Sequence, residues 1–499
     1  MVAAAQFTPG SSAGSAILAP DEWETVVGLE VHVQLKTATK LFSPARVRFG
    51  QAPNVDVDAT DTGLPGALPV LNQEAVSLAL KVGIALGSNI ASHSVFTRKH
   101  YFYPDLPKGY QITQSEAPIL EGGALSFVID DVTGATKTVT LVRAHLEEDA
   151  GKSMHAADGT RLDWNRSGTP LLEVVTTPSL SSGDEAMRFF RALRSLVVAL
   201  DVCDGNLQEG SMRADANVSV RPRGAALGTR VELKNINSPR NLCDAVVDEA
   251  RRQIALINSG AAVVQETRLW DADRSESRSM RSKEDAPDYR YFPDPDLPVV
   301  VVDEARIQRA RALMPELPGA RAARYVESFG LAQQQAALLV GEPELTSWFE
   351  SALLSLAAGR ERALANWLVN EVLGLKDGLQ RMAPSQLARL VTLVEDGALA
   401  GRAGKELLRS WQSGDDVDAV VDARGLRLQQ GGGGDAAIVI AVREVFAKNM
   451  AQVAAVKAGK DKLKGFLVGQ AMKNLVANAV GAIDPRRVQQ VVDEELEKA

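Results

Sequence analysis

The sequence predicts a multidomain protein: an α+β N-terminal part, an all-α part after it, and an α-helical C-terminal tail. Three observations predict this. The chain has 499 residues, more than one ordinary hydrophobic core organises. Up to about residue 300 it is built of short period-two runs broken by Gly, Pro, Asn and Asp, the pattern of half-buried strands. Beyond the proline-rich stretch Asp285–Pro298, nearly every segment carries apolar residues at helical spacing instead.

In chain order, the first 21 residues are expected to be a disordered tail, since they have neither a basic start nor an apolar core of signal-peptide type. Alternation predicts strands over Val26–Leu35, Thr138–Leu146, Met212–Val220 and Thr229–Asn235. Helices are interleaved at Glu74–Leu86, Gly183–Leu200 and Leu242–Ile257. The α+β part is expected to span 22–298. A helical domain over 299–428 follows, with helices at Glu304–Leu313, Pro318–Phe329, Leu331–Val340, Pro343–Ala358, Arg360–Leu373 and Pro384–Glu395, and a helical block from Gly404 to Arg424. The tetraglycine in Gln429–Asp435 reads as a flexible joint into a tail domain over 429–499. In that tail, helices are expected at Ala436–Phe446, Ala451–Ala458, Gly465–Val480 and Pro485–Lys498.

A formal charge of −8 argues against non-specific binding of nucleic acid by the whole surface, so any such contact must be local. Two cysteines, Cys203 and Cys243, make neither a disulfide framework nor a four-ligand zinc site, and a cytoplasmic, reducing location is expected. No apolar run has membrane-spanning length.

Chemistry concentrates on the strand faces. Side chains alternate along a strand, so Glu30, His32 and Gln34 share one face, as do Arg213, Asp215, Asn217 and Ser219, and Arg230, Glu232 and Lys234. Glu173 interrupts an apolar run. In the stretch His145–Ser153, Glu148 continues the row of Val142, Ala144 and Leu146, while Glu147 lies opposite with His145. A carboxylate in an apolar run is expensive unless paired or bound to a cation. Glu30, His32, Glu148, Glu173 and Glu232 would form an oxygen-rich set with one imidazole, suited to Mg²⁺ or Mn²⁺; a row of solvated surface ion pairs is the alternative. Lys152, Arg213 and Lys234 could then meet phosphate oxygens, as phosphoryl transfer requires.

Two motifs fail. Gly151-Lys152-Ser153 resembles the end of a P-loop, but Leu146 stands where the first glycine of that loop is required. Gly10–Ala16 resembles the Gly/Ser loop of amidase-signature hydrolases, yet only nine residues precede it.

Eight ordered stretches carry a resemblance that runs from about residue 22 to the C-terminus. They are Val26–Pro44, Gly63–Asn72, Arg98–Gln114, His145–Ser153, Asp163–Pro178, Glu209–Pro222, Glu232–Ser238 and Asp288–Pro298. Together they closely resemble the B subunits of the Glu-tRNA(Gln)/Asp-tRNA(Asn) amidotransferases. The resemblance implies a cradle-shaped α+β domain on antiparallel sheet with an ATP and Mg²⁺ site, followed by helical and tail domains that recognise tRNA. It implies phosphorylation of the side-chain carboxylate of a misacylated tRNA, then amidation by ammonia channelled from a glutaminase A subunit, with a small C subunit clamping A and B in a heterotrimer. The implied metal and catalytic positions fall on Glu30 and His32, on Glu147 or Glu148, on Glu173 and on Glu232. The face argument favours Glu148 over Glu147. On chemistry, Lys234 is added to the catalytic set, and Lys152 and Arg213 are the candidate phosphate contacts. A catalytically degenerate, tRNA-binding scaffold is the competing reading, and the intact carboxylate set argues against it.

Overall fold

A computed structural model describes residues 22–282, 288–428, 432–457, 463–477 and 485–498. The expected N-terminal tail lies outside the described residues. The chain separates into two compact units, one reaching Ala323 and including Val340–Pro343, the other comprising Arg324–Leu339 and the chain from Glu344.

The first unit is organised by a thirteen-stranded sheet, ten of whose strands form one path. These ten are β1 (Trp23–Gln34), β2 (Thr97–His100), β3 (Tyr110–Thr113), β4 (Thr136–Glu148), β5 (Pro170–Thr176), β6 (Met212–Pro222), β7 (Val231–Ile236), β8 (Glu266–Asp271), β9 (Glu276–Ser282) and β10 (Phe292–Pro293). Their spatial order is β9-β8-β7-β6-β1-β5-β4-β3-β2-β10. Neighbours on this path pair antiparallel except β7 and β8, which are parallel. That exception has a cause in the sequence: a twenty-residue helix separates the two strands, and a parallel pair needs such a crossover.

Three helices belong to this sheet: α1 (Gln73–Leu86), α2 (Gly183–Ala199) and α3 (Pro239–Asn258). Each starts at a residue whose side chain accepts from a first-turn amide: Asn72 from Glu74, Ser182 from Glu185 and Ser238 from Asn241. α1 stops at Gly87, whose φ of 66° is left-handed. The helices bury the apolar row of β1, in which Val27, Leu29, Val31, Val33 and Leu35 are almost fully enclosed with Phe189, Phe190, Leu193 and Leu242. Helices over one face leave the other free for polar side chains.

The second unit is helical. The expected single helix from Arg360 to Leu373 is divided into an α-helix, Glu361–Trp367, and a π-helical turn, Leu368–Val372. Of the tetraglycine, the described residues from Gly432 on belong to a helix that runs to Lys448, not to a flexible joint. The described residues between Ile438 and Leu496 enclose a core of their own, built on Ile438, Val442, Leu467, Leu475, Val488 and Val492. No described helix is long and apolar enough to cross a membrane.

Candidate functional site

Residues in register on neighbouring strands share a face, so the site is assembled across the sheet. Glu30 on β1 is in register with Val175 on β5 and Asp215 on β6, and His32 with Glu173 and Arg213. On the far side of β5, Glu173 is in register with His145 of β4, and Leu171 with Glu147. On the far side of β6, Asn217 is in register with Glu232 of β7. Two clusters result. His32, Glu147 and Glu173 form one, Glu30, Asp215 and Glu232 the other, and within each the donor atoms lie within 4.8 Å of one another.

In the first cluster, His32 Nε2 lies 3.5 Å from Glu147 and 3.7 Å from Glu173, while His145 Nε2 lies 3.4 Å from Glu173 and 3.7 Å from Glu147. Burial opposes ionisation of Glu147, but His145, His32 and Lys99 outweigh it and hold its carboxyl well below the usual range. In the second cluster, burial and then the nearby Glu173 push the Glu30 carboxyl up, against a hydrogen bond from Asn217 Nδ2 at 2.9 Å. Thr267 donates to Glu232 at 2.8 Å. Carboxylates gathered this closely, with an imidazole beside them, are a donor set for a hard divalent cation.

Glu30, His32, Glu173 and Glu232, expected as one set, thus lie on one sheet face but are divided between the two clusters, and Glu147 joins the first. Glu148 does not. Its side chain points to the opposite face, where Lys108 Nζ donates at 2.5 and 2.7 Å and the Ile112 amide at 2.8 Å. The isolated acid in the apolar row is therefore compensated by a buried lysine from a distant segment. The strand runs straight through Glu148, so simple alternation with His145 marks Glu147 as the residue facing the cluster.

Of the expected phosphate contacts, Arg213 makes a two-pronged pair with Asp149 at 3.0 and 3.1 Å, and Lys234 reaches Asp215 at 2.7 Å and Glu232 at 3.1 Å. Burial lowers the pKa of each cation, but these carboxylates more than offset it and hold both above their ordinary values. Lys152 is exposed, on a separate hairpin formed by Lys152–Ala156 and Gly159–Asp163. Sequence reasoning passed over Asp215 and His145 although alternation had set each on a polar face. It also passed over Lys99, Lys108 and Asp149. Lys99 was legible from the pattern of Thr97–His100; the partner of Lys108 was not, because forty residues separate it from Glu148. Cys203 is buried, and burial pushes its thiol up to about 12, which leaves it unreactive.

Fold and site define a class: an α+β protein whose sheet presents paired carboxylate clusters able to hold divalent cations, followed in the chain by a helical region. More narrowly, the chain belongs to the GatB/GatE family. The family model of the GatB/GatE catalytic domain matches residues 25–308, and that of the GatB domain matches residues 347–496. Among curated relatives, the B subunit of the aspartyl/glutamyl-tRNA(Asn/Gln) amidotransferase of Bordetella pertussis is 48% identical over 491 residues, 95% of this chain and 99% of its own. The proteins of the same name from Alkalilimnicola ehrlichii and Anaeromyxobacter dehalogenans are 49% and 48% identical, over 95% and 91% of this chain and 100% and 95% of their own lengths.

Proposed function

We propose that this chain is the carboxylate-activating and amidating subunit of a multi-subunit, tRNA-dependent amidotransferase, a ligase of translation. The observation that carries the reading is the convergence of His32, Glu147 and Glu173 beside Glu30, Asp215 and Glu232 on one sheet face, in a chain similar along nearly its whole length to amidotransferase B subunits. A tRNA-binding scaffold would have no use for two intact donor sets.

The reaction follows from the chemistry of the substrate. A carboxylate is a poor electrophile towards ammonia. The side-chain carboxylate of Glu-tRNA(Gln) or Asp-tRNA(Asn) attacks the γ-phosphorus of ATP, the bond to the β-phosphate oxygen breaks, and ADP leaves. Ammonia then adds to the acyl phosphate, which expels phosphate and leaves the amide. Mg²⁺ held by the two clusters would supply positive charge to the phosphate oxygens. The chain's own residues keep the clusters in place. Asn217 and Thr267 orient Glu30 and Glu232, Lys234 neutralises Asp215, and Arg213 locks Asp149.

The ammonia is supplied by a glutaminase A subunit, with a C subunit completing the heterotrimer. The helical region 299–428 and the tail 429–499 take the tRNA. The test is transamidation by the reconstituted complex with ATP, Mg²⁺ and misacylated tRNA. Glu30→Gln and Glu147→Gln should each strongly reduce Gln- or Asn-tRNA formation while glutamine hydrolysis continues; wild-type rates in both variants would overturn the reading.

A further inference from the structure

The strand at one edge of the sheet, β10, belongs to a segment that is fastened to β2 on both faces at once. Phe292 and Pro293 are in register with Arg98 and Thr97. On one face, the Arg98 guanidinium donates to the buried Asp294 at 2.8 Å and to Asp296 at 3.0 Å. It also lies 4.3 Å from the centre of the Tyr110 ring, and the His100 and Phe292 rings stack at 5.0 Å. Backbone bonds add to this hold: the His100 amide donates to the Tyr289 carbonyl and the Asp294 amide to that of Phe96, each at 2.9 Å. Between Tyr289 and Tyr291, Arg290 takes a φ of 46°, a left-handed conformation that a non-glycine residue keeps only where its surroundings impose it.

The other face is that of the carboxylate clusters. Thr97, Thr113 and Glu147 are in register across β2, β3 and β4, so Lys99, two positions along, lies on that face too. There the segment applies its tyrosines. Lys99 Nζ stands 4.9 Å from the centre of the Tyr289 ring. Tyr101, Tyr289 and Tyr291 form a row of edge-to-face rings, with centroids 6.3 and 5.9 Å apart. Burial has the largest effect on the pKa of Lys99, Tyr101 and Tyr291, and Glu147 raises all three, which puts the row beside the first cluster. Tyr291 and Phe292 stay about half exposed, so the row has solvent on its outer side.

The proposed reaction gives such a wall a purpose. Water competes with ammonia for an acyl phosphate. It adds to the acyl carbon or to phosphorus, the bond from that atom to the bridging oxygen breaks, and carboxylate and phosphate return with a proton released to solvent. ATP is then consumed without an amide, and enclosing the intermediate prevents this loss. We propose that the segment 289–296, fastened by Arg98, screens the acyl phosphate beside the first cluster from bulk water. Arg98 is the positioning residue, and the Tyr289 and Tyr291 rings are the screen. This rests on the proposed function, since it concerns an intermediate of that reaction.

The test uses the reconstituted complex with misacylated tRNA, ATP, Mg²⁺ and glutamine, and measures ADP formed per amide formed. The wild type should stay near the single ADP that each amide requires. Arg98→Ala and Tyr289→Ala should raise the ratio severalfold, while Tyr289→Phe, which keeps the ring, should hold it at the wild-type value. With glutamine withheld, the two alanine variants should hydrolyse ATP faster than the wild type when misacylated tRNA is present. If Arg98→Ala, which strands the buried Asp294, does not assemble, Tyr289→Ala with Tyr289→Phe carries the test. A ratio within about twofold of wild type in the alanine variants overturns the inference. An equal loss of ADP and amide also overturns it, because a merely structural role predicts that result, and so does a change confined to KM for ATP, which would assign the rings to the nucleotide. A wild-type complex that forms no amide at the expense of ATP would instead overturn the proposed function.

Discussion

Single side chains in this protein are decided by which partner neutralises them. Glu30 is pushed up by burial and by Glu173, so its fold favours the protonated form. Such a group costs stability when ionised: the cost is absent below its unfolded value near 4.5 and grows as pH rises through the folded value. Glu30→Gln should therefore raise the unfolding midpoint of the metal-free protein at neutral pH, with the gain vanishing as pH falls below about 4.5. Mg²⁺ should stabilise the wild type and do less for the variant, and a chelator should restore the difference; thermal melts at several pH values, with and without Mg²⁺, check this. A second residue-scale case is Lys40, fully enclosed and 2.9 Å from the buried Asp61. Asp61→Ala should cost about 3–5 kcal/mol in chemical denaturation, because it strands a buried charge, while Lys40→Met with Asp61→Leu should recover most of that loss.

At the scale of elements, close packing sets the limits. α2 begins against α3 at Gly183, where an added Cβ would come 2.5 Å from the Cys243 carbonyl oxygen, a backbone atom that cannot step aside. Gly183→Ala should thus destabilise by about 1–3 kcal/mol, the usual cost of overpacking, read as a lower denaturation midpoint with the fold retained. Strand faces matter as much as helix contacts. β4 carries Glu147 to the cluster face and Glu148 to the lysine face, so the two adjacent glutamates should fail differently. Glu147→Gln should reduce transamidation by more than the roughly 10- to 100-fold typical of groups that only orient a metal ligand, and the loss should be partly relieved by higher Mg²⁺. Glu148→Gln removes half of a buried ion pair with Lys108, and Mg²⁺ should not relieve it. Rates measured across a Mg²⁺ series separate the two.

For the molecule as a whole, division of labour is the governing feature. Burial pushes the thiols of both Cys203 and Cys243 up, so neither is an activated nucleophile and the isolated chain should release no ammonia from glutamine; a glutaminase assay on the purified subunit checks this. The tail encloses its own core, so removing the chain from Gly432 should leave ATP use intact. Under the proposed role it should weaken tRNA binding and flatten its dependence on salt, since each lost phosphate contact removes part of that slope. Affinity measured at several salt concentrations tests the point.

Much of this is legible in the residues alone. Alternation is local, so β1, β6 and their polar faces can be read from Glu30, His32, Asp215 and Asn217, as can the turn to helical spacing after Pro298. The sequence by itself determined the family, the kinds of element and the residue types available for chemistry. Only the tertiary structure decided which of them meet. It set Glu147 and not Glu148 in the cluster, and gave Arg213 to Asp149. The reason is physical: a buried charge is settled by whichever opposite charge folding brings within reach, and for Glu148 that was Lys108, forty residues away in the chain.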